Sequence, residues 1–399
     1  MKARVVALLA ACATWAAATS PAPEFSPAEL RRVQQLGPWP PPAAQDPGNA
    51  QAGRPEVIAL GQRLFFDPRL SPDGRFACAS CHAPAQAFAD GLARAQGRET
   101  LARNTPSLWN AVHERWYGWD GAFDSLWSQA LQPLLDQREM GASAAHVVAT
   151  IRADAELGCA YRRVFGSAPG DEEATLVNAA KALGAFVGSL VSGRTPFDDF
   201  RDALARNDAH AAERYPADAR RGLRIFVGRG QCNVCHAGPM FSNGEFGDTG
   251  LPHFVRPGVV DPGRHGGINI LRASPHNLLS RWSDAPADSA AAVKTRHVQL
   301  QPRNFGEFKV PSLRNVALTA PYMHDGQIAT LAGVVRHYSE INLERLHTDG
   351  EQILKPLQLS SDESADLLAF LQSLSDPRAA QWTAPEAVAC VAPQGAARR

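Results

Sequence analysis

Apolar residues recur at helical spacing in two long stretches of this chain. Between Glu172 and Val191, one face collects Leu176, Ala179, Ala180, Leu183, Phe186, Val187, Leu190 and Val191, which predicts a long amphipathic helix. Between Asp362 and Leu374 the pattern repeats with Leu367, Leu368, Leu371 and Leu374, behind Ser360 and Glu363 at capping positions. Near the start, Ser26-Pro27-Ala28-Glu29 is a capping box with Pro at the first helical position, opening a short helix to about Leu36. Pro, Gly and Ala then dominate from Gly37 to Gly53, where an extended strap over the surface is expected. Gly238 to Phe308 has little periodicity and many Gly, Pro and Asn, so a long ordered loop region is expected there. Nothing signals an extended sheet. The expected class is mainly α, with little β.

A chain of 399 residues exceeds the size at which one core usually divides, so two domains are expected. A polar stretch over 205–216, ending at Pro216, marks the division. An internal echo supports duplication: Gly61-Gln-Arg63-Leu64-Phe65 returns as Gly222-Leu-Arg224-Ile225-Phe226. The expected units are 55–207 and 208–376, after an extension over 20–54 and before a tail over 377–399. Lys+Arg and Asp+Glu number 40 each, which argues against a nucleic-acid partner. The 32 Gly and 30 Pro exceed average usage and suit long loops around a small core completed by a cofactor.

Each echo precedes a Cys-x-x-Cys-His pentad: Cys78-Ala-Ser-Cys81-His82 and Cys232-Asn-Val-Cys235-His236. Two thiols followed at once by an imidazole suit thioether attachment of haem c with the His on its iron. Structural zinc knuckles lie within about 12–20 residues of each other; these pentads are separated by about 150. Two covalently bound haem c groups are therefore expected, each with its pentad His as an axial ligand, in two cytochrome-c-like domains.

The N-terminus has a basic start at Lys2 and Arg4, an apolar stretch from Val5 to Ala18, and small residues at Ala16-Ala17-Ala18. This describes a signal peptide over 1–19, cleaved on export to the periplasm. Cys12, after Leu9-Ala10-Ala11, leaves a lipoprotein anchor open as the alternative. With Cys12 in the signal and four Cys in the pentads, Cys159 and Cys390 remain of the seven; a disulfide and two lone thiols are both allowed.

Further stretches carry a resemblance: Leu64-Phe-Phe-Asp-Pro-Arg-Leu-Ser71, Arg103-Asn-Thr-Pro106, Trp119-Asp-Gly121, Glu139-Met140, and Pro311-Ser-Leu-Arg-Asn-Val-Ala-Leu-Thr-Ala-Pro-Tyr-Met-His-Asp-Gly326. With the pentads, and in this order over roughly residues 55–375, they resemble the bacterial dihaem cytochrome c peroxidase / MauG family. The resemblance implies a first haem, on His82, that reacts with hydrogen peroxide, and a second, on His236, that stores or relays an electron. It implies reduction of peroxide to water through a ferryl haem. Electrons would come from a small periplasmic cytochrome c or copper protein. The MauG-like alternative draws them from aromatic residues of a protein substrate. A non-catalytic electron carrier is the third reading, and a homodimer is left open.

By family position, Glu139 is the base that moves a proton between the peroxide oxygens, Gln129 orients the peroxide, Pro133 lines the pocket, and Trp119 relays between the haems. Where the family's peroxidases place an axial Met on the second haem, this chain has Tyr338; Met323 and His337 are the rival ligands. A buried aromatic hydrogen-bonded to a neighbour is the bland reading of Tyr338. Residues 83–112 contain no His, so no imidazole is expected to block the first iron, and His113 is expected to be structural, on a covering helix. Asn104 and the carbonyls of Thr319 and Pro321 match the family's calcium ligands, oxygen donors of the type that ion prefers.

Overall fold

The computed structural model describes residues 25–384 and residue 390, apart from 252, 253, 257, 347, 351 and 352. The expected signal and Cys12 lie outside the described residues. Both echoes fall on helices, Pro55–Phe65 and Ala217–Val227, and their glycines explain why the pattern repeats. A Cβ on Gly61 would lie 1.9 Å from the carbonyl oxygen of Ala182, on the Glu172–Gly188 helix. One on Gly222 would lie 2.0 Å from the carbonyl oxygen of Asp366, on the Ser361–Gln372 helix. Only glycine permits backbones to meet so closely. Each echo therefore marks the same kind of helix crossing, made once per unit.

Around each crossing a hydrophobic core forms. The first gathers Leu60, Leu64, Phe65, Trp127, Leu131, Ile151, Leu157, Tyr161, Leu183 and Phe186 from five helices: Pro55–Phe65, Leu126–Leu135, Ala144–Ala153, Ala155–Phe165 and Glu172–Gly188. The second gathers Leu223, Phe226, Val335, Phe370 and Leu371 from Ala217–Val227, Leu331–Ser339 and Ser361–Gln372, with Phe241 from the turn after the second pentad. Phe197 and Phe200, on the Pro196–Ala205 helix, also join this second core, and Tyr215 stacks on Phe200 at 4.4 Å. The chain's ends cross over. Phe25, Val33 and Leu36 of the N-terminal extension pack into the second core, while Trp382 packs against the first. Cys159 and Cys390 form a disulfide.

The capping boxes at Ser26/Glu29 and Ser360/Glu363 form with both of their hydrogen bonds. The helix expected over 172–191 ends at Gly188 instead. The carbonyl of Leu190 accepts from the Asn110 amide at 2.8 Å, so it is engaged outside the helix, and Val191 is 39% exposed rather than on the buried face. The region 238–308 is not only loop. It holds the helices Arg264–Ala273 and Ala290–Arg296, the first too short and too glycine-rich to show a clear period. Two antiparallel pairs, Phe246–Gly247 with Phe308–Lys309 and Phe254–Arg256 with Val259–Val260, complete the strands among the described residues. The fold is mainly α. His113 ends a single 3₁₀ turn, Ala111–His113, not a covering helix, because Asn110 takes φ +66° ahead of it.

Candidate haem sites

The first pentad forms one helical turn, Cys78–Cys81, and the second a 3₁₀ turn, Cys232–Val234. In both, the chain turns back so that a phenylalanine carbonyl meets the His ring. Nδ1 of His82 lies 3.0 Å from the Phe88 carbonyl oxygen, and Nδ1 of His236 lies 2.9 Å from that of Phe241. A carbonyl only accepts, so each Nδ1 carries the proton and each Nε2 keeps its lone pair for a metal. Phe88 and Phe241 hold this geometry with φ of +58° and +50°, their rings fully buried. Burial lowers the pKa of both histidines, favouring the neutral ligating form. It pushes the Cys78 and Cys232 thiols up to about 12 and Cys81 to about 11. None of the four pentad thiols forms a disulfide.

A cavity of about 570 Å³ opens over His82, lined by Cys78, Cys81, Trp119, Gln129, Pro133 and Glu139 among others; His82 is its one lining His among the described residues. Gln129 and Pro133 stand one helical step apart on Leu126–Leu135 and so share a face. The Gln129 Oε1 atom is buried and accepts no protein hydrogen bond. Glu139 follows the helix, and its carboxyl is pushed up to about 7, chiefly by burial, with Asp136 adding and Arg138 opposing. An apolar cavity, a pair of thiols, an imidazole with a free lone pair and an orphaned polar atom fit a haem with room for a small ligand. His113 does not line this cavity; its ring packs edge-on to Trp39 at 5.8 Å.

Two segments outside any motif fix the helix that carries Gln129 and Pro133. From the strap, Asp46 accepts from the Leu126 and Trp127 amides at 2.7 and 3.1 Å, satisfying first-turn donors. Asn49 steadies it by donating to Asp46 and to the Lys181 carbonyl. From the 238–308 region, the Leu278 amide and Thr295 hydroxyl donate to Asp124, just ahead of the same helix. Sequence reading missed both acids because a buried aspartate in a loop carries no periodic signal.

Over His236 lie adjoining cavities of about 220 and 850 Å³; Cys232, His236 and Tyr338 line both. Tyr338 is on the Leu331–Ser339 helix, and among the described residues no protein hydrogen bond engages its hydroxyl. That differs from the bland reading of a hydrogen-bonded core tyrosine. Burial raises its pKa, so the phenol is neutral until a cation compensates. Of the rivals, His337 is turned away, its Nε2 at 2.8 Å from the Thr249 carbonyl oxygen. Met323 lines the smaller cavity alone. Trp119 lines both the first cavity and this smaller one, its indole donating to the Asn104 carbonyl at 2.9 Å. Asn104, Thr319 and Pro321 share the smaller cavity. The Asn104 amide nitrogen donates to Leu92, which leaves Oδ1 as the possible donor to a cation.

A second echo, missed in the sequence, aligns the two units. Pro106-Ser-Leu-Trp-Asn110 returns as Pro311-Ser-Leu-Arg-Asn315, with both Asn residues at positive φ. The bridge Tyr117–Phe123 around Trp119-Asp120-Gly121 returns as Tyr322–Ile328 around His324-Asp325-Gly326. Next come the helices Leu126–Leu135 and Leu331–Ser339, each capped by a hydroxyl, from Ser125 and Thr330. At this constant offset Pro133 in the first unit corresponds to Tyr338 in the second. One helix position thus presents a ring without a donor atom at one haem site and a phenol at the other.

A family model described as di-haem cytochrome c peroxidase matches residues 55–206. The methylamine utilization protein MauG of Methylorubrum extorquens is 36% identical over 82% of this chain and 80% of its own length. Cytochrome-c peroxidase IdrP2 of a Pseudomonas species is 32% identical over 86% of this chain and 85% of its own. The crystal structure of a MauG-like protein associated with microbial copper homeostasis aligns with TM-score 0.66 and 29% identity, over 86% of this chain and 96% of that one. With two haem c sites built on a duplicated helical frame, this chain belongs to the dihaem cytochrome c peroxidase / MauG family of oxidoreductases.

Proposed function

We propose that this enzyme reduces hydrogen peroxide at the first haem site, with redox equivalents shared through the second. Bound over His82, haem c supplies the iron that takes up peroxide. The residues do the rest. Gln129 holds the peroxide by accepting from it at its unpaired amide oxygen, and Glu139 takes the proton from the inner oxygen and returns it to the outer one, so that water leaves. Completing the reaction takes two electrons and two protons per peroxide, giving two waters. Trp119, lining both cavities, is the route for charge between the sites. The observation that carries this reading is Glu139, a half-buried carboxyl with a pKa near neutrality, in a cavity that Gln129 also lines and that, among the described residues, holds no histidine besides His82.

The electrons come from a small donor, a cytochrome c or a copper protein, in the periplasm. The cleaved signal read from the N-terminus supports export. A calcium ion at Asn104, Thr319 and Pro321 belongs to the proposal, and with neutral oxygens as its only protein donors it binds with waters in its shell. Tyr338 favours the MauG-like reading, in which electrons come from aromatic residues of a partner protein. Tyr338 would hold the second iron as a phenolate, which would stabilise its oxidised states and make that site a poor high-potential reservoir. Stopped-flow mixing of the fully oxidised holoenzyme with peroxide, then with a reduced cytochrome, separates these readings. Rapid spectral change discharged over many turnovers supports peroxide removal; a change that outlasts the cytochrome supports partner oxidation. No reaction with peroxide leaves only an electron carrier.

A further inference from the structure

The carbonyl that orients His82 is held from a distance. Phe88 is fully buried with φ +58°, a conformation a phenylalanine keeps only when its surroundings impose it. In the second unit the equivalent Phe241 is enclosed by its own core, with Phe197, Phe226 and Phe370 at 5.3, 6.0 and 6.3 Å. Phe88 has Phe65 and Trp109 from its own unit, at 6.2 and 5.3 Å. Its nearest aromatic neighbour comes from the far end of the chain: Trp382 meets it edge-on at 5.1 Å, and stacks on Phe66 at 6.1 Å.

The rest of that tail is seated too. The 3₁₀ turn Ala379–Gln381 packs on Pro84–Gln86, the turn between His82 and Phe88, and Ala379 is 1% exposed. Upstream, the Asp376 amide donates to the Asn315 side chain at 2.9 Å, tying the tail's start to the second unit. Downstream, Cys390 is bonded to Cys159, on the Ala155–Phe165 helix of the first. The tail is thus fastened on both sides of Trp382.

We propose that Trp382 is a positioning residue for the first haem site: it holds the Phe88 carbonyl against Nδ1 of His82, and the Cys159–Cys390 disulfide secures the tail that carries it. This rests on His82 as the axial ligand. A proton shared with a carbonyl makes the imidazole a stronger electron donor through Nε2. Loosening Phe88 weakens that donation, which softens the iron–histidine bond and raises the haem's reduction potential.

Resonance Raman of the reduced holoenzyme reads this directly, because only a haem with one axial ligand gives an iron–histidine stretching band. Trp382→Ala is expected to move that band to lower frequency and broaden it, with a more positive potential for the first haem. Trp382→Phe, which keeps an aromatic edge on Phe88, is expected to restore the parental band, and Cys390→Ser to shift it in the same sense but less. Should Trp382→Ala not fold, Trp382→Leu is read in its place. A parental frequency in both the tail variant and Cys390→Ser overturns the proposal. The absence of an iron–histidine band in the parent is a different failure, since it removes His82 as the ligand.

Discussion

Replacing Glu139 by Gln keeps the side chain's size and removes its capacity to accept a proton. The carboxyl lies half-buried in the first cavity, and burial, with Asp136 nearby, raises its pKa to about 7. A positioned proton acceptor contributes about 10²–10⁴ in rate, or roughly 3–5 kcal/mol of barrier. The second-order rate constant of the oxidised holoenzyme with peroxide is expected to fall by that factor in Glu139→Gln. The same pKa fixes a pH dependence. Only the carboxylate accepts a proton, so the active fraction is about one-tenth at pH 6 and nine-tenths at pH 8. The wild-type rate constant is then expected to rise roughly tenfold across that interval, and the slow variant to show no such rise. Stopped-flow absorbance at the Soret band measures both. A variant with the parental rate constant, or a wild-type profile flat through neutrality, refutes the assignment of proton transfer to this residue.

Tyr338→Phe is expected to abolish the phenolate-type ferric absorption of the second haem and raise its potential by an appreciable part of the ~0.8 V that axial ligands span; redox titration that leaves both unchanged excludes the tyrosine as ligand. Gly61→Ala and Gly222→Ala each force a methyl into a backbone carbonyl, and each is expected to cost at least about 1–3 kcal/mol of stability. Gly247→Ala, with nothing within 4 Å, is the control, and thermal unfolding that ranks the three alike contradicts the close-crossing argument. Asp46 is buried with its pKa raised to about 7 from 3.8, so the folded state holds its proton more tightly than the unfolded chain. Its contribution, up to about 4 kcal/mol, is present below about pH 4 and lost as pH rises through 7. Asp46→Asn is expected to remove this slope from denaturant midpoints measured between pH 4 and 8. Trp119→Phe is expected to lower kcat about tenfold with a reduced donor while the first encounter with peroxide keeps its rate, as befits a residue between the sites; equal loss in both places it in the chemistry instead.

The sequence was most informative where physics forces a local pattern. Glu172–Gly188 and Ser361–Gln372 were visible because each buries one face, and the Gly61 and Gly222 echoes because two helices cross where only glycine fits. The pentads were visible because covalent attachment fixes the spacing of thiols and ligand. What escaped depends on distance along the chain. Asp46 reaches the helix of Gln129 from the strap, Asp124 is held by residues of the 238–308 region, and Trp382 returns from the second unit to the first. None of these contacts leaves a period or a motif to read.

The correspondence of Pro133 with Tyr338 was legible in principle, since Pro-Ser-Leu-x-Asn and Tyr-x-x-Asp-Gly recur in both halves at one offset. It was missed because two short matches far apart gain meaning only when the helices after them are seen to be equivalent. Seen so, the duplication explains the division of labour more economically than either site does alone. A frame that builds one haem pocket will build a second identical one unless a side chain intervenes. The helix position shared by Pro133 and Tyr338, which lines the cavity in each unit, is where a single substitution would change most. A proline there has no donor for a metal and, on the function proposed above, would leave the first cavity to peroxide, with Gln129 and Glu139 also lining it. A tyrosine there presents an oxygen to the cavity over His236. Exchanging them is therefore the sharpest test of the duplicated plan. Pro133→Tyr is expected to turn the first haem from high-spin to low-spin or phenolate-bound in electron paramagnetic resonance, and to abolish its reaction with peroxide. A first haem that stays open in that variant means the two helices are equivalent in sequence order only, and the asymmetry of the sites must come from elsewhere.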